Sequence, residues 1–296
     1  MRPVWPRSDV VDLPADLAGP LRAIAGVHES SNKIYVVGNS ATVLIGDGRN
    51  AFVASATSPS PSGNLRAVYV PSAQEAWVAD SSNNTVHHTT NGGATWTNSV
   101  AGAAGGLQGI FGRSANDILT VGQDNMEGRH YMSGWAAARY PGPLKRTMWG
   151  VFASANNFYI TGSGGAVGKS ASPRTTFQDI SLTSSTPNLY GVFCVDDNNV
   201  FVVGSGGAIY RYNGSQWSSM SQGASTLKAI WGSSAQDIFV VGDSGAVYHY
   251  DGTRWQNMSD STVAGYNLTG VWGDGQGGVF VTASNSAGTT GAVFKY

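Results

Sequence analysis

Residues 227–258, LKAIWGSSAQDIFVVGDSGAVYHYDGTRWQNM, hold three short apolar runs, AIWG, DIFVVG and AVYHY, then an Asp251-Gly252 turn and a fourth run opening on Trp255. Runs of β-branched and aromatic residues bounded by Gly, Ser, Asn and Asp are strand signals, and Asp-Gly between two of them is a hairpin signal. The stretch predicts a four-stranded antiparallel meander.

The same unit occurs six more times. First strands are expected from Leu21 (LRAIAG), Leu65 (LRAVYV), Leu107 (LQGIFG), Met148 (MWGVFA), Leu189 (LYGVFC), Leu227 (LKAIWG) and Leu268 (LTGVWG), with spacings of 44, 42, 41, 41, 38 and 41. A period near forty residues, one meander long, is the signature of a propeller, in which each sheet is one blade. The expectation is an all-β, seven-bladed β-propeller occupying residues 1–296 as a single domain.

The last repeat stops after its third strand, Gly291 to Tyr296, and lacks the outer strand in which the other six place Phe52, Trp96, Trp135, Phe177, Trp217 or Trp255. Trp5-Pro6-Arg7-Ser8-Asp9 resembles Trp255-Gln256-Asn257-Met258-Ser259. Residues 3–9 are therefore expected to complete blade seven, closing a ring that would otherwise leave two open sheet edges.

Composition narrows the function. Seventeen basic and eighteen acidic residues give a net charge of -1, with five lysines in all. Nucleic-acid binding needs clustered Lys and Arg, so a nucleic-acid partner is not expected. No apolar run reaches the roughly 20 residues of a membrane helix. The segment MRPVWPRSDVVDLPADLAGPL has no apolar stretch of signal-peptide length. Cys194 stands alone and is expected as a small buried apolar residue.

Thr89-Thr90-Asn91-Gly92-Gly93-Ala94-Thr95-Trp96 resembles the Asp-box hairpin of sialidases and photosystem II assembly-factor propellers, with Asn91 where that pattern prefers Asp. The resemblance implies architecture, since the Asp-box does not itself catalyse. Across nearly the whole chain the units are similar to propeller repeats of the form VWGSSANDVFAVGDGGTILHYDGSTW, abundant in myxobacterial and related bacterial surface proteins. That repeat group implies a fold and no single activity.

Catalytic constellations are sparse. Asp117, Asn157, Asn199 and Asp237 recur before second strands, as turn caps would. Asp196-Asp197 is a paired carboxylate, but a glycosidase needs two carboxyls facing each other across a sugar, and only three glutamates exist. The twelve arginines are scattered, and the arginine cluster of a sialidase is not formed by any local pattern. His88 and His249 occupy the third-strand position that is Lys169, Arg211 and Lys295 elsewhere, and no His or Cys spacing suits zinc. No metal or cofactor is expected. Repeated tryptophans at fixed blade positions read as core.

Blade three is the outlier: Gln123 to Tyr131 replaces the short turn found at Gly242 to Ala246. A longer polar loop on a regular ring is where binding is grafted, so Asp124, Glu127, Arg129, His130 and Tyr131 are the candidate site. The expected function is a non-catalytic binding or structural propeller on an extracellular or particle surface, such as a virion or tail, acting on a protein partner in a larger assembly. The alternative is a lectin taking a surface glycan between blades, with Tyr190 or Tyr266 as contacts. A glycan hydrolase or lyase is third.

Overall fold

The computed structural model describes residues 9–296 apart from 16, 18, 29–31, 56–60, 102–105, 124–125, 132–133, 140–143, 173–174 and 183–186. It is a seven-bladed β-propeller of four-stranded antiparallel sheets. In blade six the strands are Leu227–Ser234, Asp237–Gly242, Val247–Tyr250 and Trp255–Asn257, hydrogen-bonded in that order.

The residue that opens each repeat anchors its blade. Leu21, Leu65, Leu107, Met148, Leu189, Leu227 and Leu268 are all fully buried. Second strands such as Ile238-Phe239-Val240-Val241 are buried on both faces, because each sheet packs against the blades before and after it. A strand covered on both sides reads as a continuous apolar run and not as alternation. Cys194, on the first strand of blade five, is also buried, with its thiol pushed up by burial and then by the Asp197 and Asp196 carboxylates.

Closure is by the chain's beginning, but in a different register from the expected one. Asp9–Val10 is the fourth strand of blade seven, pairing Asp9 with Lys295 and Val10 with Phe294, and Val11 N donates to Val293 O at 2.9 Å. Val10 thus takes the place of Asn257 in blade six, where Tyr248 pairs Asn257. Aligning Trp5 with Trp255 would put Asp9 at Ser259, three residues away from its observed equivalent, Gln256. The backbone ladder, and not a shared aromatic, sets this strand; Trp5 lies outside the described residues.

The four predicted turn caps also change. Ser114, Ser154, Asp196 and Ser234, each three residues before the predicted cap, accept the backbone N–H bonds of the turns between first and second strands. Asp237 instead binds His249 and Ser233, Asp117 binds Arg113, Asn157 donates to Asp197 and Asn199 to Asp196. The outer hairpins behave as the sequence implied. Asn91 Oδ1 accepts from Thr95 N at 2.9 Å and Gly93 N donates to Thr89 Oγ1 at 2.9 Å. Asp47, Asn213 and Asp251 hold the equivalent turns by accepting from backbone N–H groups two and three residues on, where Asn91 accepts from the fourth.

Candidate functional site

Every first strand carries one irregularity at the same place. The register slips between Leu21 and Ala23, Leu65 and Ala67, Leu107 and Gly109, Met148 and Gly150, Leu189 and Gly191, Leu227 and Ala229, and Leu268 and Gly270. The skipped residue has no partner on the second strand. A bulge of this kind re-aims one side chain out of the sheet. Seven bulges around a ring aim seven side chains at the axis, and Arg22, Arg66, Gln108, Trp149, Tyr190, Lys228 and Thr269 line one cavity of about 410 Å³ at the channel mouth.

Three of the seven are cations. Lys228 Nζ is paired with Asp243, from the turn after the second strand of its own blade. Arg22 and Arg66 sit side by side on blades one and two, and their partners among the described residues are neutral: Arg22 Nε donates to Asn39 Oδ1 at 3.0 Å and Arg66 Nε to Ser81 Oγ at 3.4 Å. Burial, and then the Arg66 charge, pull the Arg22 guanidinium below its usual value; burial does the same to Arg66. Across the mouth the rings of Trp149 and Tyr190 lie 4.9 Å apart at 44°. Thr269 Oγ1 is spent on Leu21 O, joining blade seven to blade one.

Below the mouth the channel is apolar. Ile24, Val68, Ile110, Val151, Val192, Ile230 and Val271 line a second cavity of about 450 Å³, which shares Gln108, Trp149, Tyr190 and Lys228 with the mouth. Its aromatic wall is continuous: Tyr69 meets Phe111 at 5.1 Å, Phe111 meets Phe152 at 4.1 Å and Phe152 meets Phe193 at 5.3 Å. The site is thus a polar, cationic rim over an apolar shaft. No local motif announces it. The signal available in the sequence was the residue after each opening Leu or Met, which holds Arg, Arg, Gln, Trp, Tyr, Lys and Thr while its neighbours stay Leu, Ala or Gly, and Ile or Val.

The segment singled out in blade three is mostly strand. Met126–Tyr131 is the third strand of its sheet, with Glu127 opposite Val121 and Tyr131 opposite Asp117. Its backbone ladder overrides the polar composition that suggested a loop across this segment. Asp124 lies outside the described residues. Arg129 pairs across to Leu119, which makes it the blade-three copy of the basic third-strand position. His130 is buried, 5.0 Å from Trp77 of blade two and 5.0 Å from Trp135, and burial lowers its pKa. It joins blades two and three and lines a cavity of about 340 Å³ with Glu75, Trp77, His88 and Trp135. Gln123 N donates to Gly106 O, beside the start of the first strand and on the side of the mouth.

The repeated basic position is a stacking position. His88 stacks on Trp77 at 3.5 Å and His249 on Phe239 at 4.4 Å, while Lys169, Arg211 and Lys295 lie over Tyr159, Phe201 and Phe280. Each lies over the residue opposite it on the second strand. Of the paired carboxylates, Asp197 ties blade five to blade four, accepting from Ser154 Oγ at 2.6 Å, Asn157 Nδ2 at 2.8 Å, Tyr159 OH at 2.9 Å and Asn156 Nδ2 at 3.2 Å. Tyr266 packs edge-on against Phe294 at 5.1 Å and lies half-buried against the blade-seven core. Among the described residues no three His, Cys, Asp or Glu side chains gather as metal ligands, and no helix is long and apolar enough to cross a membrane.

No family model matches the chain, and no curated protein matches it in sequence. Its fold is similar to solved propellers over almost its full length. The structure titled "YCF48 bound to D1 peptide" is 16% identical with a TM-score of 0.76, covering 99% of this chain and 96% of that one. The WD40 β-propeller domain of Doa1 is 12% identical with a TM-score of 0.76, over 97% and 96%. Virginiamycin B lyase from Staphylococcus aureus is 12% identical with a TM-score of 0.80, over 97% and 98%. At these identities the likeness is one of fold, and a seven-bladed β-propeller is what this chain is shown to be.

Proposed function

We propose that the protein is a non-catalytic binding propeller whose partner is another protein, docked on the face that carries the channel mouth. The observation that carries this reading is the ring of seven bulges, which sets cations and aromatic rings where a ligand can reach them and leaves the opening-strand scaffold unchanged. Arg, Trp and Tyr are the residue types that anchor protein interfaces. A neighbour of the same fold holds a peptide. Another is a lyase, so the fold alone does not choose between binding and catalysis.

Placement on an extracellular or particle surface belongs to the same proposal, as does assembly into a larger structure. The test is a photo-crosslinking residue at position 190, on the mouth, compared with one at position 116, in a turn between first and second strands at the other end of the blades. One crosslinked protein from position 190 and none from position 116 is the expected result; labelling from 116 alone would overturn the docking face. Sedimentation of the native extract reads the second half of the proposal, since a chain that stays free of large particles refutes an assembled role.

A further inference from the structure

We infer that the channel mouth is a receptor for a peptide segment that joins a carboxylate to an apolar side chain, the carboxylate held by Arg22 and Arg66 and the apolar group entering the shaft below. This rests on the reading of the mouth as the docking face and adds the chemistry of what docks.

Two guanidinium groups from adjacent blades converge at one wall of the mouth, half-buried and held through Nε by the neutral acceptors Asn39 and Ser81. Lys228 has Asp243 as its counter-charge, whereas the arginine pair has no carboxylate partner among the described residues. Two like charges held together are mutually destabilising, and an anion placed between them relieves that repulsion. The Arg fork suits a carboxylate because two parallel N–H donors meet its two oxygens.

The walls choose the rest of the ligand. The mouth of about 410 Å³ opens directly into an apolar shaft of about 450 Å³ lined by Ile24, Val151, Ile230 and Val271. A bare polyanion would leave that shaft unfilled, and the charge balance of the whole chain offers no extended basic track to hold one. An acidic residue next to Phe, Leu or Val satisfies both parts at once, with the ring pair Trp149 and Tyr190 covering the peptide from the opposite wall.

The experiment uses the full chain and two fluorescein-labelled heptapeptides that differ in one atom group, Gly-Ser-Phe-Glu-Val-Ser-Gly and its Gln counterpart, read by fluorescence anisotropy. The Glu peptide is expected to bind about tenfold tighter than the Gln peptide, and Arg22→Gln or Arg66→Gln is expected to erase that preference while thermal melting stays within a few degrees. Raising the ionic strength should narrow the gap between the peptides in the wild-type chain only. Equal binding of the two peptides, or a preference that survives both arginine substitutions, overturns the carboxylate assignment. If equal binding is nevertheless abolished by Trp149→Ala, the docking face stands and only its charge chemistry falls. Absence of any peptide binding overturns the inference, and the crosslink at position 190 then decides independently whether the docking face falls with it. AMP binding tighter than the Glu peptide would overturn it in favour of a nucleotide.

Discussion

At Asp197 a single carboxylate receives hydrogen bonds from four side chains of the preceding blade. Burial alone would raise its pKa, but those four bonds together outweigh burial and hold it below the usual carboxylate range. Its ionised form therefore stabilises the fold above that range, and the contribution is lost as pH falls toward the lowered value. Replacing it by Asn should cost about 2 kcal/mol at neutral pH, and the gap in melting temperature between the two proteins should hold down to about pH 4, the ordinary carboxylate value, and narrow below it. Ser244 makes the opposite prediction. It sits at φ 59° in the turn Asp243–Gly245, where the equivalent residues are Gly164 and Gly206. Ser244→Gly removes a left-handed penalty of about 1 kcal/mol and should raise stability in urea titration. Gly245 has no such freedom: a Cβ there would meet Val263 O at 2.6 Å, and Gly245→Ala should destabilise.

The third-to-fourth-strand hairpin is the element whose chemistry carries over most directly from residue pattern to structure. Asn91 holds its turn through a side-chain oxygen that accepts a backbone N–H, as Asp47 and Asp251 do in blades one and six, so Asn91→Asp should leave the melting temperature nearly unchanged and Asn91→Ala should lower stability by about 1 kcal/mol. Four-residue motifs of this kind are local, and local sequence decides them. The same holds for the opening Leu and the runs DIFVVG and NVFVVG, whose apolar character follows from packing on both faces. The mouth was not legible in that way. Arg22, Arg66, Lys228, Trp149 and Tyr190 are far apart in sequence and are brought together by ring geometry, and the bulge that aims each of them has no residue signature of its own. In blade three, polar composition suggested a loop where pairing with Asp117–Gly122 imposes a strand. Polarity reports exposure; it does not report whether a neighbour offers a hydrogen-bonding edge.

For the whole molecule the decisive contact is the pairing of Asp9–Val10 with the last strand. A chain beginning at Pro14 should keep its β content by circular dichroism yet unfold at a lower urea midpoint, with a transition broadened by loss of cooperativity between blades one and seven. An unchanged midpoint would show that Thr269 Oγ1 on Leu21 O and the packing of Trp272 against Leu21 and Ile24 close the ring unaided. The closing strand also orders events in time. The ribosome makes Asp9 and Val10 before any blade exists and makes Phe294 and Lys295 after every other blade is finished. Until the seventh blade is made the early strand is present without its partner, while each of the six blades made before it has an outer strand of its own. Closure of the ring consequently waits for its seventh blade. Two nascent rings close together on one message present the same pair of complementary strands, so exchange of the closing strand between neighbours is the assembly error this architecture is open to.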